Sequence, residues 1–291
     1  MPISRRHILG GAFASLALAF TACSGASPDP VASSGTGSAD NEQFRTLDQI
    51  KSSGTVRIGV FSDKAPFGYV DADGKPAGYD VVYAERIGKD LGAKVDYVPV
   101  EAASRVEFLQ TAKVDIILAN FTVTPERGEK VDFANPYMKV SLGVVSPDSA
   151  LITEESQLAG KKIIVVKGTT AETWLAKNHP EIEPDKYEQY NDATSALADG
   201  RGDAWVTDNT KALAWAISSD GFTAGITALG DPDSIAGAVT KGNGTLLSWL
   251  NEHLVTLGKE QFFHADFEQT LRPIYGDSAS ADELVVEGGQ L

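Results

Sequence analysis

The 291-residue sequence predicts an α/β protein built as two lobes. Three observations carry that expectation. From Phe44 onward, short β-branched apolar runs alternate with longer segments whose apolar residues recur at helical spacing, which implies mainly parallel sheets faced by helices. The alternation restarts after Tyr137, so that two similar series of units follow one another. The chain is also long enough to bury one large core or two ordinary ones.

Taken in order, FRTLDQIKSSG (44–54) reads as a short helix closed by Gly54. TVRIGVF (55–61) is β-branched and apolar, a strand. PFGYVDADGKPAGYD (66–80) carries the turn signal Asp73-Gly74 between aromatic residues, a hairpin-like excursion. DVVYAERIGKDLG (80–92) places Val81, Val82, Ala84, Ile87 and Leu91 on one helical face and ends at Gly92. KVDYVPV (94–100) is a strand, SRVEFLQTAK (104–113) a helix with Ser104 as its N-cap, and VDIILAN (114–120) a buried strand.

In the second series, LGVVSP (142–147) is strand-like, and GKKIIVVKGTT (160–170) is a strand running into the helix TAETWLAKNH (170–179). KYEQYND (186–192) is strand-like, ATSALADGR (193–201) helical, DAWVTDN (203–209) a short strand and NTKALAWAI (209–217) a helix. SIAGAVT (234–240) returns as a strand. The segment 245–271 reads as two amphipathic helices with Leu246, Leu247, Leu250, Leu254 and Leu257 on one side. Ligands of such sheets bind beyond the carboxyl ends of the strands, where NFT (120–122), KGTT (167–170) and VTDN (206–209) all fall.

Composition removes several function classes. A formal net charge of -15 disfavours a nucleic-acid partner, because phosphate binding needs clustered Lys and Arg. The single cysteine, Cys23, excludes an internal disulfide. His7, His179, His253 and His264 are scattered without metal-ligand spacing, so no metal is expected. GNG (242–244) lacks the rest of a dinucleotide fingerprint, and no catalytic pair stands in the motif segments, so no cofactor and no enzyme is expected.

The N-terminus reads as an address. Arg5 and Arg6 precede the short apolar stretch ILGGAFASLALAFTA (8–22), and Cys23 follows it. This resembles a lipoprotein signal, residues 1–22, with Cys23 lipidated after cleavage; an ordinary secretory signal is the other reading. The paired arginines leave the twin-arginine and general export routes both open. Residues 23–43, rich in Ser, Gly, Ala and Pro after Cys23, form a flexible tether. No other apolar run is long enough to cross a bilayer.

RIGVFSDKAPFGYVDADGKPAGYDVVYAERIGKDLG (57–92), then ILANFTVTPERGEKVDFANPY (117–137), then KGTT and GRGDAWVTDN (200–209), resemble one family in order and spacing. It is the extracytoplasmic solute-binding proteins of polar amino-acid ABC transporters, and the likeness covers about residues 44–276. The segments around AASRVEF, ANFTVTPER and VVEGG are most similar to the cysteine-binding subgroup. The resemblance implies a two-lobed type II binding-protein fold with two hinge strands. The first lobe would comprise residues 44–138 plus 237–276 and the second 143–236, with 277–291 as a C-terminal appendage. It further implies a monomer that closes over a free L-amino acid, cysteine first, and delivers it to a membrane permease. Cystine, glutamate, aspartate, glutamine and serine stay open as ligands. A dehydratase-type enzyme on this fold and a sensor module are the alternatives of another class.

An amino acid presents a carboxylate and an ammonium, and a dry cleft must satisfy both. The resemblance assigns the carboxylate to Arg127, whose planar fork gives two parallel charge-assisted bonds, with Thr122 adding donors. A surface Arg127 paired with Glu126 or Glu129 is the other reading. Thr169 and Thr170 open a helix whose free N–H groups suit the same carboxylate, or they simply cap it. Asp208 would take the ammonium or cap the following helix, and Asn120 would lend its carbonyl or merely shape the turn, with Phe121 beside it. Arg105 reaches the ligand or pairs with Glu101 or Glu107 at the surface. Phe61, beside Lys64, supplies an apolar wall that suits a small side chain, while Phe67 reads as core.

Overall fold

The computed structural model describes residues 44–290. The signal reading of 1–22, the lipidation of Cys23 and the tether lie outside the described residues.

Helix α1 (Leu47–Ser53) starts at a reciprocal cap between Thr46 and Gln49 and stops at Gly54, whose φ of 66° is left-handed. Strand β1 (Thr55–Val60) follows, then a small antiparallel sheet of β2 (Asp63–Lys64), β3 (Gly68–Val70) and β4 (Pro76–Ala77). Helix α2 (Tyr79–Leu91) buries Val81, Tyr83, Ala84, Ile87 and Leu91 and is closed by Gly92. Strand β5 (Lys94–Pro99) lies parallel to β1. Next come α3 (Arg105–Gln110), β6 (Ile116–Ile117), α4 (Pro125–Gly128) and the long strand β7 (Val131–Pro147).

The second lobe contains β8 (Ile163–Val166), α5 (Thr170–Asn178), β9 (Asp185–Tyr187), α6 (Tyr190–Ala198), β10 (Ala204–Asp208) and α7 (Asn209–Ile217). A second long strand, β11 (Phe222–Thr240), leads back to α8 (Gly244–Lys259), α9 (Phe262–Asp266), a π turn over Phe267–Leu271, α10 (Arg272–Tyr275) and α11 (Ala281–Leu284).

One sheet runs through both lobes in the order β5-β1-β6-β11-β7-β10-β8-β9. Strands β7 and β11 pair antiparallel with each other, but β11 pairs with β6 through Ala238 and Val239, whereas β7 pairs with β10 through Leu142 to Val145. Their mutual register shifts between Ile226 and Leu229 and again between Leu229 and Asp233, irregularities that bend paired strands. Each therefore crosses from one lobe to the other. Lobe one packs Tyr79, Tyr83, Tyr137 and Phe263 against Leu246, Leu250, Leu254 and Leu257 of α8. The leucine face of α8 read from the sequence is thus a core face, with Leu247 only partly buried.

Several expectations need correction. VDIILAN holds a strand only at Ile116 and Ile117, because the chain turns at Asn120, whose φ is 43°. Ser104 stands at the N-cap position of α3, as expected, but it also ends a short 3-10 turn over Ala102–Ser104 and its hydroxyl makes no cap bond. KYEQYND leaves the sheet at Tyr187, and Tyr190 already starts α6. SIAGAVT is the last third of a 19-residue strand, whose earlier part is broken by Gly, Pro and Asp that mask a strand pattern. The two C-terminal helices are one long helix followed by three short turns. Beyond them, the Val286 N–H donates to the Tyr137 carbonyl at 3.0 Å, which fixes the C-terminal segment against β7.

Candidate ligand-binding site

The loop from Asn120 to Arg127 is shaped by local rules. Asn120 tolerates the left-handed conformation that turns the chain out of the sheet. Its N–H donates to Asp80 Oδ2 at 2.7 Å, and Asp80 Oδ1 accepts from the Tyr137 hydroxyl at 2.6 Å. Thr124 then caps α4, its hydroxyl accepting from the Arg127 N–H at 3.3 Å, and Pro125 occupies the first helical position, where its missing N–H costs nothing. This turn sends the Arg127 side chain back over the loop. Its guanidinium donates to the Thr122 carbonyl at 2.7 Å and, from the other lobe, to the Gly168 carbonyl at 2.9 Å.

Arg105 enters the same space from α3. It is 2% exposed and donates to the carbonyls of Ala102, Ala119, Asn120 and Gly168. The alternatives that put Arg105 or Arg127 at the surface with glutamates are not observed. Both guanidinium groups lie over the Phe121 ring, 4.4 Å and 4.9 Å from its centre, where the ring's negative face attracts cations. Among the described residues neither has a carboxylate within ion-pair distance. Burial pulls the pKa of both down, and in Arg127 the neighbouring Arg105 adds to the effect.

Gly168 brings the backbone of the second lobe directly against that of the first. Its φ of 73° is left-handed, and a Cβ there would stand 2.5 Å from the Ala103 Cα of the other lobe. Thr169 and Thr170 stand at the start of α5, but Thr169 makes no cap bond; its hydroxyl donates to the Val166 carbonyl at 2.6 Å. Asp208 occupies the cap position of α7 and likewise makes no cap bond. Its carboxylate pairs instead with the Lys64 ammonium of the first lobe.

Lys64 is fully buried. It donates to Asp208 and to Asn120 Oδ1, and sits 4.8 Å from the Tyr190 ring centre and 5.4 Å from that of Phe61. Burial opposes its charge, Asp208 and Tyr190 together outweigh that, and the pKa ends above its ordinary value. Phe61 meets Tyr190 edge to face at 5.3 Å across the cleft, while Phe67 belongs to the core of lobe one. Arg105, Arg127, Lys64, Asp208 and Phe61 thus touch the opposite lobe, Asn120, Phe121 and Thr122 lie against them, and Thr169 and Thr170 follow Gly168.

Four others were not expected there. Tyr190 closes over Lys64; its N–H donates to Asp63 at 2.7 Å, while Lys211 donates to the Ala65 carbonyl at 2.8 Å, and both bonds join the lobes. Asp80 backs Asn120, and burial raises its pKa to about 7. An acid in the first turn of α2 was the only sequence signal for it. Among the described residues no cluster of His, Cys, Asp and Glu could hold a metal ion.

Two α/β lobes joined by two long strands, with a charged cleft between them, define a type II periplasmic binding protein. The family of bacterial extracellular solute-binding proteins, family 3, matches residues 56–267, and the chain belongs to it. The chain is 48% identical to the L-cysteine solute receptor of Neisseria gonorrhoeae, whose crystal structure it matches with a TM-score of 0.82 over 84% of this chain and 100% of that one. The cysteine-binding protein of Campylobacter jejuni is 50% identical, with a TM-score of 0.81 over 83% and 98%. The glutamine-binding ABC transporter protein GlnH of Bacillus subtilis is 31% identical over 215 residues, 72% of this chain and 78% of its own.

Proposed function

We propose that this chain is the receptor of an amino-acid ABC importer and captures one free L-amino acid, cysteine, by hinge closure. The observation that carries the reading is that two buried or half-buried guanidinium groups bond only to carbonyls, while the Asp208 carboxylate at the end of β10 lies near enough for its charge to act on both. Such an arrangement offers a stronger acceptor's place to one carboxylate and a partner to one ammonium. The likeness to proteins described as cysteine receptors supports the choice of ligand.

In this reading Arg127 holds the ligand carboxylate, with Thr122 and the first N–H groups of α5 at Thr169 and Thr170. Asp208 and the Asn120 carbonyl take the ammonium. Phe61, Phe121, Arg105 and Lys64 border the side chain, which suits a small residue. Residues 44–138 plus 237–276 and residues 143–236 move as the two bodies, with 277–291 as an appendage of the first. The mature protein is a monomer outside the cytoplasm, anchored through lipid on Cys23, and its closed form docks on a membrane permease. No helix among the described residues is long and apolar enough to cross a membrane.

The test is a thermal-shift screen of protein stripped of co-purified ligand against the common amino acids and cystine. A ligand at about 100 times its Kd adds roughly 2.7 kcal/mol, which raises Tm by roughly 5–10 °C for a domain of this size. Cysteine is expected to give that shift. Stabilisation by glutamine or glutamate with none by cysteine would replace the ligand, and no response to any amino acid would remove the transport reading.

A further inference from the structure

The Lys64 ammonium is balanced by a single carboxylate, that of Asp208. Three cationic side chains, Lys64, Arg105 and Arg127, converge between the lobes, and the carboxylate in contact with any of them is Asp208. On the proposed reading, a bound amino acid places its own carboxylate on Arg127 and its own ammonium on Asp208. Asp208 is then shared between two ammonium groups. The Lys64 cation is left partly unmatched in a space closed by Phe61 and Tyr190, where an unpaired charge is costly. Beside it, Asn120 Nδ2 is buried and has no acceptor, so a second donor waits at the same point.

We propose that Lys64 and Asn120 Nδ2 form a subsite for an anionic ligand side chain, and that cysteine is held there as its thiolate. This rests on the cysteine reading above. A free thiol loses its proton at about 8.5 and does so much lower beside a cation, so the cleft can draw the thiolate from a neutral solution. A serine hydroxyl cannot ionise in this range. Lys64 therefore separates cysteine from serine by acidity, a difference that size alone would not provide.

The surrounding groups are compatible with this charge balance. Tyr190 faces Lys64 from α6, and burial holds its phenol protonated. Asp80 lies behind Asn120, and burial shifts it towards its neutral form. Arg105 adds positive potential from α3. Lys211, from α7, is turned towards the Ala65 carbonyl and has Asp63 near it.

The test is calorimetry of the purified chain, freed of ligand, at pH 7 in two buffers of different ionisation enthalpy. Cysteine binding is expected to release close to one proton per site, and serine and S-methylcysteine none. The difference spectrum should show the ultraviolet band of a thiolate. In Lys64→Met the proton release should vanish and the preference for cysteine over serine should fall at least tenfold. Tight cysteine binding without proton release or thiolate band would overturn the subsite while leaving the cysteine reading intact. No cysteine binding by the unaltered chain would overturn that reading, and the subsite with it. A proton released equally with serine would assign the titration to Asp80 or another group of the protein, and would also overturn the proposal.

Discussion

Arg105 and Arg127 donate to one shared acceptor, the carbonyl of Gly168. A neutral carbonyl cannot balance two guanidinium charges, and a ligand carboxylate would be the stronger partner. Truncating such a partner of a buried charged pair costs about 2–5 kcal/mol, so Arg127→Ala is expected to weaken amino-acid binding about 30-fold or more. Arg127→Lys should not restore it, because a point charge lacks the planar fork. Titration calorimetry decides; near-native affinity in the alanine variant would place the carboxylate elsewhere. The part of this site that was legible in the sequence is the part built from contiguous residues. Thr124, Pro125 and Arg127 form a cap, a helix start and a returning side chain within four positions, each obeying a local rule. The pairing of Lys64 with Asp208 spans 144 positions, and no local rule reports it. Tyr190 was hidden for a related reason: its neighbours read as a strand, which would have pointed it into a sheet, whereas it begins a helix facing the other lobe.

Among the elements, those with one dominant period were legible and those that change period were not. Helix α8 shows a clean leucine face and was read correctly, but the chain after Lys259 passes through Gln261 in a left-handed conformation, a five-residue helix and a π turn. A π turn inserts an extra residue, so the apolar positions beyond it fall out of phase with any single helix. At this joint lies Asp266, 2% exposed, with Oδ1 accepting from the Thr270 hydroxyl at 3.0 Å and Oδ2 without a partner. Burial pushes its pKa up from 3.8 to about 9. Between those values the folded chain holds a proton that the unfolded chain has released, so this group's stabilisation is complete below about 4 and is lost as pH rises towards 9. Asp266→Asn keeps the acceptor for Thr270 and removes the titration. It is expected to match the parent in urea unfolding at pH 4 and to exceed it at pH 8 by at least about 1.4 kcal/mol, the worth of one pKa unit. Equal stability at both pH values would show that water reaches the carboxylate.

For the whole molecule, capture of a ligand by the proposed hinge closure depends on how closely the lobes can approach, and Gly168 stands at a point where their backbones meet. Its carbonyl receives both arginines of the first lobe, and its α-carbon lies against the Ala103 backbone, with no flexible side chain between them to yield. The bonds of Tyr190 to Asp63 and of Lys211 to Ala65 join the same two lobes alongside this contact. None of these three contacts could be read from the sequence, because each depends on how two separately folded lobes meet. The KGTT motif announced a turn before a helix, and the close approach became evident only from the other lobe's backbone. Gly168→Ala should therefore act twice. A left-handed alanine costs about 1–2 kcal/mol, and the added methyl would have to displace the Ala103 main chain for the lobes to shut. The expected outcome is a folded protein with an unchanged core and ligand affinity at least about tenfold weaker, the equivalent of roughly 1.4 kcal/mol. Small-angle scattering provides the independent readout. The parent chain should contract when saturated with cysteine, and Gly168→Ala should contract less at equal saturation. If the variant contracts as fully as the parent and binds as tightly, the approach of Gly168 to Ala103 does not limit closure, and the lobes must shut about some other contact.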